Sequence, residues 1–454
     1  MKPSTRRLLV LSVLLGGFLS SLTETILNNA LPTIMNAFDI NQSSAQWLST
    51  GYILVVGIMM PAAAFFFNRF RLKPLFLTTL TLFLVGTTIA ACAPSFGWLF
   101  FGRTIQAISV GISMPLTQNV MTLVYPPEKR GTAMGMAAIV IILGPAIGPT
   151  LSGWIVDNYS WQMLFWALIP VTIVILILST FSLRNINEVH PTRLDVPSLL
   201  LSTAGFGTLL YGFSNIGAIA GIDLFTISLV VIGIIVVGVF LWYQLRMEKP
   251  LLDIRVFKAP SFTKTTALAA MTNIAMLGTE LIVPLYLQDV RGISPMYSGM
   301  MLLPGAILMA LMSPIAGRIL DNHGIKNMAF VGFGVLTIAT IPMIWFNSKT
   351  SLIWIMALYA IRMGSIALVM MPTTTSGINA LPNHLVVHGN TVSTTFRQVA
   401  SSLGTAGLVT VSSVVAHGSN LTHGYQAAFA AANMVSLVCL VLTATLKNWT
   451  KPEI

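Results

Sequence analysis

Residues 8–32 read LLVLSVLLGGFLSSLTETILNNALP, and this stretch decides the class of fold. It holds a single ionisable side chain, Glu24, and follows directly on Arg6 and Arg7. A helix crossing the hydrocarbon of a bilayer needs about 20 mostly apolar residues, and this run has them. It is too long for the apolar region of a removable secretory leader. The reading is therefore a first membrane span that stays in the protein.

The same pattern recurs along the chain. Predicted spans cover residues 8–32, 45–67, 75–93, 97–124, 132–156, 161–181, 196–217, 225–243, 265–287, 296–320, 328–346, 352–378, 391–415 and 425–446. Composition agrees. Of 454 residues, 55% are hydrophobic and 8% charged, with a mean hydropathy of +0.83. A water-soluble domain carries about 25% charged residues, so most of this surface faces lipid. The formal charge of +11 would point to nucleic acid in a soluble protein. Here the placement of the cations argues for a bilayer and against a nucleic-acid partner. Cys92 and Cys439 each lie inside an apolar run, which makes a disulfide framework improbable.

Lysine and arginine set the orientation. Lys2, Arg6, Arg7, Arg69, Arg71, Lys73, Lys129, Arg130, Arg184, Arg193, Arg246, Lys249, Arg255, Lys258, Lys264, Arg318, Lys326, Lys447 and Lys451 fall in one alternating set of connections. The other set holds Arg291 and Lys349. Both termini are expected in the cytoplasm, as an even span number requires. Arg103, Arg362, Arg397, Glu24 and Glu280 remain, all inside apolar segments. Ionisable groups at membrane depth are costly and face a bundle interior or a wet cavity, so they mark a functional pathway.

The halves repeat. Glu280 follows Glu24 by 256 positions and Arg362 follows Arg103 by 259. The loop at 321–326 follows that at 68–73 by 253. Two six-span bundles, 1–190 and 251–454, with two spans inserted at 191–250, account for this. Duplicated bundles place a binding site near the midplane and rock around it. The inserted pair has no charge within its apolar stretches and is expected at the lipid-facing periphery.

Several motifs, in order, resemble the fourteen-span drug:proton antiporters of the major facilitator superfamily. They are Leu22-Thr23-Glu24-Thr25-Ile26-Leu27-Asn28-Asn29-Ala30-Leu31-Pro32 ending the first span, Arg103-Thr104-Ile105-Gln106 in the fourth, and Gly144-Pro145-Ala146-Ile147-Gly148-Pro149 in the fifth. Pro284-Leu285-Tyr286-Leu287-Gln288 with Ser294-Pro295, and Phe396-Arg397-Gln398, complete the set. The resemblance implies an all-α integral membrane fold of fourteen helices, and a multidrug exporter in the cell membrane working by alternating access. Glu24 stands where that family usually has Asp.

Glu24 and Glu280 are the residues expected to couple transport to protons. Such a carboxyl can be neutral when it faces the proton-rich side and charged when it faces a cationic solute, so one site alternates between two ligands. A structural carboxylate paired with Arg103 or Arg362 is the alternative reading. Arg103 resembles the family arginine that assists proton transfer by pairing with a carboxylate, against a fixed ion pair. Gly144 and Gly148 lie four apart on one helix face and permit close approach of another helix. Pro145 and Pro149 remove backbone donors and favour a bend. The resemblance assigns this segment to sealing an exporter against leakage; packing alone is the plainer account. Asp321, in Gly317-Arg318-Ile319-Leu320-Asp321, is expected to cap a neighbouring helix or pair with a basic residue in one conformation. In the first half Asn68 replaces that acid and Arg71 the glycine, which puts that loop's charge lock in question. Arg397 is expected to bond neighbouring helices. Gln106, Asn273, Met276, Trp47 and Tyr52 are pocket candidates by position.

His384 and His388, four apart, lack a third metal ligand nearby. Asn41, Asn158 and Asn420 begin sequons that matter only in a secretory pathway. No His-Glu-x-x-His, nucleophile–base pair or P-loop is present, which argues against a membrane enzyme and against direct ATP drive. No organic cofactor or metal is implied. The coupling ion is a proton, with sodium as the alternative, and the expected partners are small amphipathic or cationic molecules and the lipid of the bilayer. A monomer is expected. A nutrient or metabolite facilitator of the same fold is the closest rival.

Overall fold

A computed structural model describes residues 3–27, 30–40, 42–187, 189, 195–219, 223–248, 250–417 and 420–446. Lys2, Arg193, Lys249, Lys447, Lys451, Asn28, Asn29 and Asn41 lie outside the described residues, as do the side chains of Ala146, Pro149 and Pro295. Regular structure among the described residues is helical throughout. The first part of the chain forms α1 (Pro3–Thr25), α2 (Leu31–Phe38), α3 (Gln42–Arg69), α4 (Leu72–Ala91), α5 (Phe96–Val124), α6 (Arg130–Asn158) and α7 (Met163–Ser182). Then come α8 (Val196–Ile219) and α9 (Leu224–Arg246). The remainder forms α10 (Pro260–Asp289), α11 (Pro295–His323), α12 (Ile325–Thr340), α13 (Leu352–Asn379), α14 (Val386–His417) and α15 (Leu421–Thr443).

Among the described residues, 13 helices are long and apolar enough to cross a membrane. The 29-residue α6 stands where a further span is predicted and runs helical through Pro145 and Pro149. In hydrocarbon every backbone polar group needs a partner within the protein, which is why the spans are continuous helices. Interior prolines at Pro61, Pro115, Pro170, Pro284, Pro304, Pro314 and Pro372 are carried within them. Two details escaped the hydropathy pattern. The chain after α1 forms the short α2, ended by Asp39 in the left-handed region (φ 51°), where Asp is among the better-tolerated residues. Beyond α12 the predicted span tightens to a 3-10 turn over Ile341–Trp345, where Pro342 supplies no N–H to an α-helical ladder.

Packing follows the repeat. In the first part α5 packs on α1, α3 and α4, and α7 on α1 and α4. In the second, α13 packs on α10, α11 and α12, and α15 on α10 and α12. Helix for helix these are the same neighbours. A single glycine separates α11 from α12, and Gly324 adopts φ 75°, ψ −178°, a region open essentially to glycine alone.

The residues group into two compact units. One comprises Met1–Pro126, Val140–Thr203 and Glu248–Leu252; the other Pro127–Ile139, Ala204–Met247 and Asp253–Ile454. The start of α6 thus clusters with the later helices. In the second unit α8 and α9 touch through Gly205, Gly212 and Gly233, where a Cβ would meet Val237, Val230 and Leu209. The outside of α9 is apolar, with Leu224, Ile227, Val231, Ile235 and Trp242 exposed. That exterior suits lipid.

Candidate functional site

In the first unit Arg103 reaches from α5 towards α1 and is 1% exposed. Its Nη1 donates to the Thr23 carbonyl (3.2 Å) and to Gln106 Oε1 (3.1 Å). Gln106 Nε2 donates onward to Thr87 Oγ1 at 2.7 Å, and Thr87 in turn donates to the Phe83 carbonyl. The Arg-x-x-Gln spacing explains this link, since residues three apart share a helix face. The guanidinium carbon lies 3.8 Å from the centroid of the Tyr52 ring, a close cation–π contact. Arg103 Nε and Nη2, Tyr52 Oη and Thr25 Oγ1 are buried with no hydrogen-bond partner. Glu24, on the same stretch of α1, is half-buried and acts electrostatically on both Arg103 and Tyr52. It makes no ion pair within 4.0 Å among the described residues. The fixed Glu24–Arg103 pair weighed from the sequence is therefore absent here.

The second unit repeats the arrangement with altered parts. Arg362, on α13, is 0% exposed. Its Nη2 donates to the Ala275 carbonyl and its Nε to Thr340 Oγ1 at 3.3 Å, while Nη1 has no partner. Glu280 on α10 and Tyr359 on α13 both act electrostatically on this guanidinium. Thr340 follows Thr87 by 253 positions, and Ser365 follows Gln106 by 259. The shorter serine removes the bridging amide, so Arg362 bonds the threonine directly. The position 253 after Tyr52 is Gly305, and a Cβ there would meet the Tyr359 ring at 2.6 Å. The aromatic has moved from one helix to another, and Gly305 leaves the room. Tyr359 and Thr340 are not among the residues predicted from sequence. The glycine at the Tyr52 position was the available signal.

Other predicted residues fall elsewhere. Gln106 belongs to the arginine network rather than to an open wall. Asn273 donates to the Ala269 carbonyl of its own helix at 2.9 Å. Met276 is partly exposed, Trp47 is exposed and Tyr52 is buried. A Cβ at Gly144 would meet Leu22 N at 2.6 Å, and one at Gly148 would meet Thr25 Oγ1. Both glycines thus press α6 against the helix that carries Glu24. Arg397 is buried on α14 and contacts Met371 Sδ (3.9 Å) and Thr394 Oγ1 (3.5 Å). His388 Nδ1 accepts from the Asp253 backbone N–H at 3.2 Å. An apolar cavity of about 540 Å³ in the second unit is lined by Ile293, Tyr297, Met301, Leu352, Ile353 and Met356 among others, and Arg362 is not part of its lining.

The loops differ. Asp321 Oδ1 accepts from Gly131 N (2.8 Å), and Oδ2 accepts from Thr132 N (2.8 Å) and Thr132 Oγ1 (2.6 Å). It caps the start of α6, where free N–H groups and the helix dipole favour an anion. In the corresponding loop of the first unit the connection after α7 makes a clamp. Asn187 Oδ1 accepts from Leu72 N (2.8 Å), and Asn187 Nδ2 donates to the Phe67 (2.7 Å) and Phe70 (2.8 Å) carbonyls. Asn185 Oδ1 accepts from Lys73 N at 3.0 Å. This clamp was not foreseen.

Paired helical bundles, each holding a buried arginine and a carboxyl inside apolar helices, define a membrane carrier. The family model "Major Facilitator Superfamily" matches residues 13–405, and the chain belongs to that superfamily. The chain is 42% identical to the uncharacterized transporter YcnB of Bacillus subtilis, over 99% of this chain and 97% of that one. It is 36% identical to the lincomycin resistance protein LmrB of Listeria monocytogenes, over 89% and 86%. Among solved structures it is similar to the human organic anion transporter MFSD10, with a TM-score of 0.72 at 15% identity, over 98% of this chain and 100% of that one. The protein is thus a multi-pass transporter of the cell membrane and not an enzyme.

Proposed function

We propose that the protein is a proton-driven exporter of hydrophobic, often cationic, small molecules, with fourteen spans and both termini in the cytoplasm. The observation that carries this reading is the carboxyl within electrostatic reach of a buried arginine, present once in each half. When the carboxyl is protonated, the constellation keeps the arginine's positive charge and disfavours a cationic solute. When the carboxyl is ionised, that charge is cancelled and the solute is admitted. Proton and solute then compete without needing to touch the same atoms, which is the requirement for exchange. The 36% identity to a relative named for lincomycin resistance supports a drug-like substrate. Gly144 and Gly148, packed on the Glu24 helix, support a role for α6 in following the state of that carboxyl. Asp321 at the start of α6 supports a lock that holds one conformation.

Ethidium flux in proteoliposomes under an imposed pH gradient tests the proposal. The wild type should accumulate ethidium against its gradient, with coupling impaired in Glu24→Gln. Accumulation driven only by a sodium gradient would replace the proton as the driver. Flux that merely equilibrates ethidium, in folded protein, would make the chain a facilitator.

A further inference from the structure

Each half of the molecule contains a complete set of charge-handling parts. Glu24, Tyr52 and Arg103 all belong to the first compact unit; Glu280, Tyr359 and Arg362 all belong to the second. Both arginines are fully or almost fully buried, and an arginine stays charged in any protein environment. Among the described residues, every hydrogen-bond partner of the two guanidiniums is a neutral oxygen: the Thr23 carbonyl and Gln106 for Arg103, the Ala275 carbonyl and Thr340 for Arg362. Among the described residues neither guanidinium forms an ion pair within 4.0 Å, and each keeps at least one N–H group without a hydrogen-bond partner. A buried donor left unpaired on a cation is unfavourable, so each arginine has a standing vacancy for its own half's carboxylate. Each unit thus holds an arginine that can compensate the loss of a proton from its own carboxyl, Arg362 for Glu280 and Arg103 for Glu24.

We infer that Glu280, with Arg362 and Tyr359, is a second proton carrier separate from that of Glu24, so that two protons exchange for one monovalent cation. This rests on the exporter reading above. The charge balance is direct. With both carboxyls protonated the two constellations carry two positive charges from their arginines. With both ionised they carry none, and one bound monovalent cation brings the sum to one. The two loaded forms differ by one charge, so each cycle moves one net positive charge inward. An exchanger with one carrier would move none. Tyr359 and Arg362 are positioning residues in this scheme, holding the field in which Glu280 gains and loses its proton.

The test uses permanent monovalent cations, ethidium and tetraphenylphosphonium, which bring no titratable proton of their own. The full-length protein is reconstituted, and transport is driven either by a pH gradient at zero potential or by a potassium–valinomycin potential at equal pH. For two protons per cation the limiting accumulation is 100-fold per pH unit, and tenfold for each 59 mV of potential. Glu280→Gln should retain transport but fall to tenfold per pH unit and lose its response to potential. Arg362→Gln should do the same, whereas Arg362→Lys should restore the response to potential. A lysine that rescues in this way separates a role in proton handling from mere packing. Wild type driven by a pH gradient yet indifferent to potential would overturn the second carrier and leave the exporter reading standing. A Glu280→Gln variant that still responds to potential would overturn it too, by placing the second proton elsewhere. If neither gradient moves either cation in folded wild type, the exporter reading fails and the inference fails with it.

Discussion

The two halves hold their buried arginines with interchangeable parts but hold their corresponding loops by unrelated chemistry. Inside the bundles Gln106 gives way to Ser365, and the arginine compensates by bonding Thr340 directly. Tyr52 gives way to Gly305, and Tyr359 from another helix fills the space. At the loops, Ala64 and Asn68 in the first half stand where Gly317 and Asp321 stand in the second. The first loop is clamped by Asn187 and Asn185, while the second reaches the start of α6 through Asp321. The reason lies in what burial tolerates. A guanidinium away from water must keep partners, so a change on one side forces a matching change beside it. Backbone groups at a loop accept any acceptor or donor of suitable length, so an acid can be exchanged for a pair of amides.

The sharpest way to break the comparison is at Gly317. A Cβ there would land on the backbone of Gly131 and Thr132, with the Gly131 carbonyl carbon at 2.7 Å. Backbone cannot rotate away as a side chain can, so Gly317→Ala should cost about 3 kcal/mol, at the upper end of overpacking effects. Its counterpart in the first half is already an alanine, Ala64, which is buried. Thermal unfolding in detergent reads the difference. An unaltered transition for Gly317→Ala would mean that the close approach to α6 is not a stable feature.

Next in size is Asp321→Ala, which removes three hydrogen bonds to the start of α6. Loss of this cap should cost about 2 kcal/mol, given that bonds to a charged group contribute about 1.5–3 kcal/mol each and water replaces part of them. Asp321→Asn keeps one acceptor and should fall between. Asn187→Ala should cost less, about 1–2 kcal/mol, because neutral bonds near a loop are more readily replaced by solvent. Asn187→Asp separates the two functions of that side chain. It retains an acceptor for Leu72 N but sets a carboxylate against the Phe67 and Phe70 carbonyls, so it should be no better than alanine. If Asn187→Asp unfolds like wild type, the donor side of the clamp contributes nothing.

Hydropathy and charge placement made the helical spans legible because lipid imposes a length and a composition on each of them. The two arginines and two carboxyls stood out for the same reason. What stayed hidden required knowing which faces meet. Tyr359 lies three residues before Arg362, on the same helix face, yet nothing in its own neighbourhood distinguishes it from a packing aromatic. Only the glycine at the Tyr52 position hints at the exchange. Asn187 is far in sequence from the loop that it clamps, and its spacing from Asn185 is a common pattern in connections. Gln106 was legible as a polar group at depth and as part of a motif with Arg103, but that it links the guanidinium to Thr87 on another helix was not.

The smallest expected effect is also the most discriminating. Tyr52 places its ring under the Arg103 guanidinium but leaves its hydroxyl buried and unpartnered. Tyr52→Phe retains the ring and removes a group that makes no bond here, so stability should change by no more than about 0.5 kcal/mol. The cation–π contact survives the substitution. Ethidium exchange driven by a pH gradient then asks what the hydroxyl is for. If exchange is slowed while unfolding is unchanged, the hydroxyl finds its partner in another conformation, as a bond to the ionised Glu24 would provide. If both are unchanged, the ring alone supports Arg103. The Tyr52 ring would then serve only as an apolar floor beneath a buried cation.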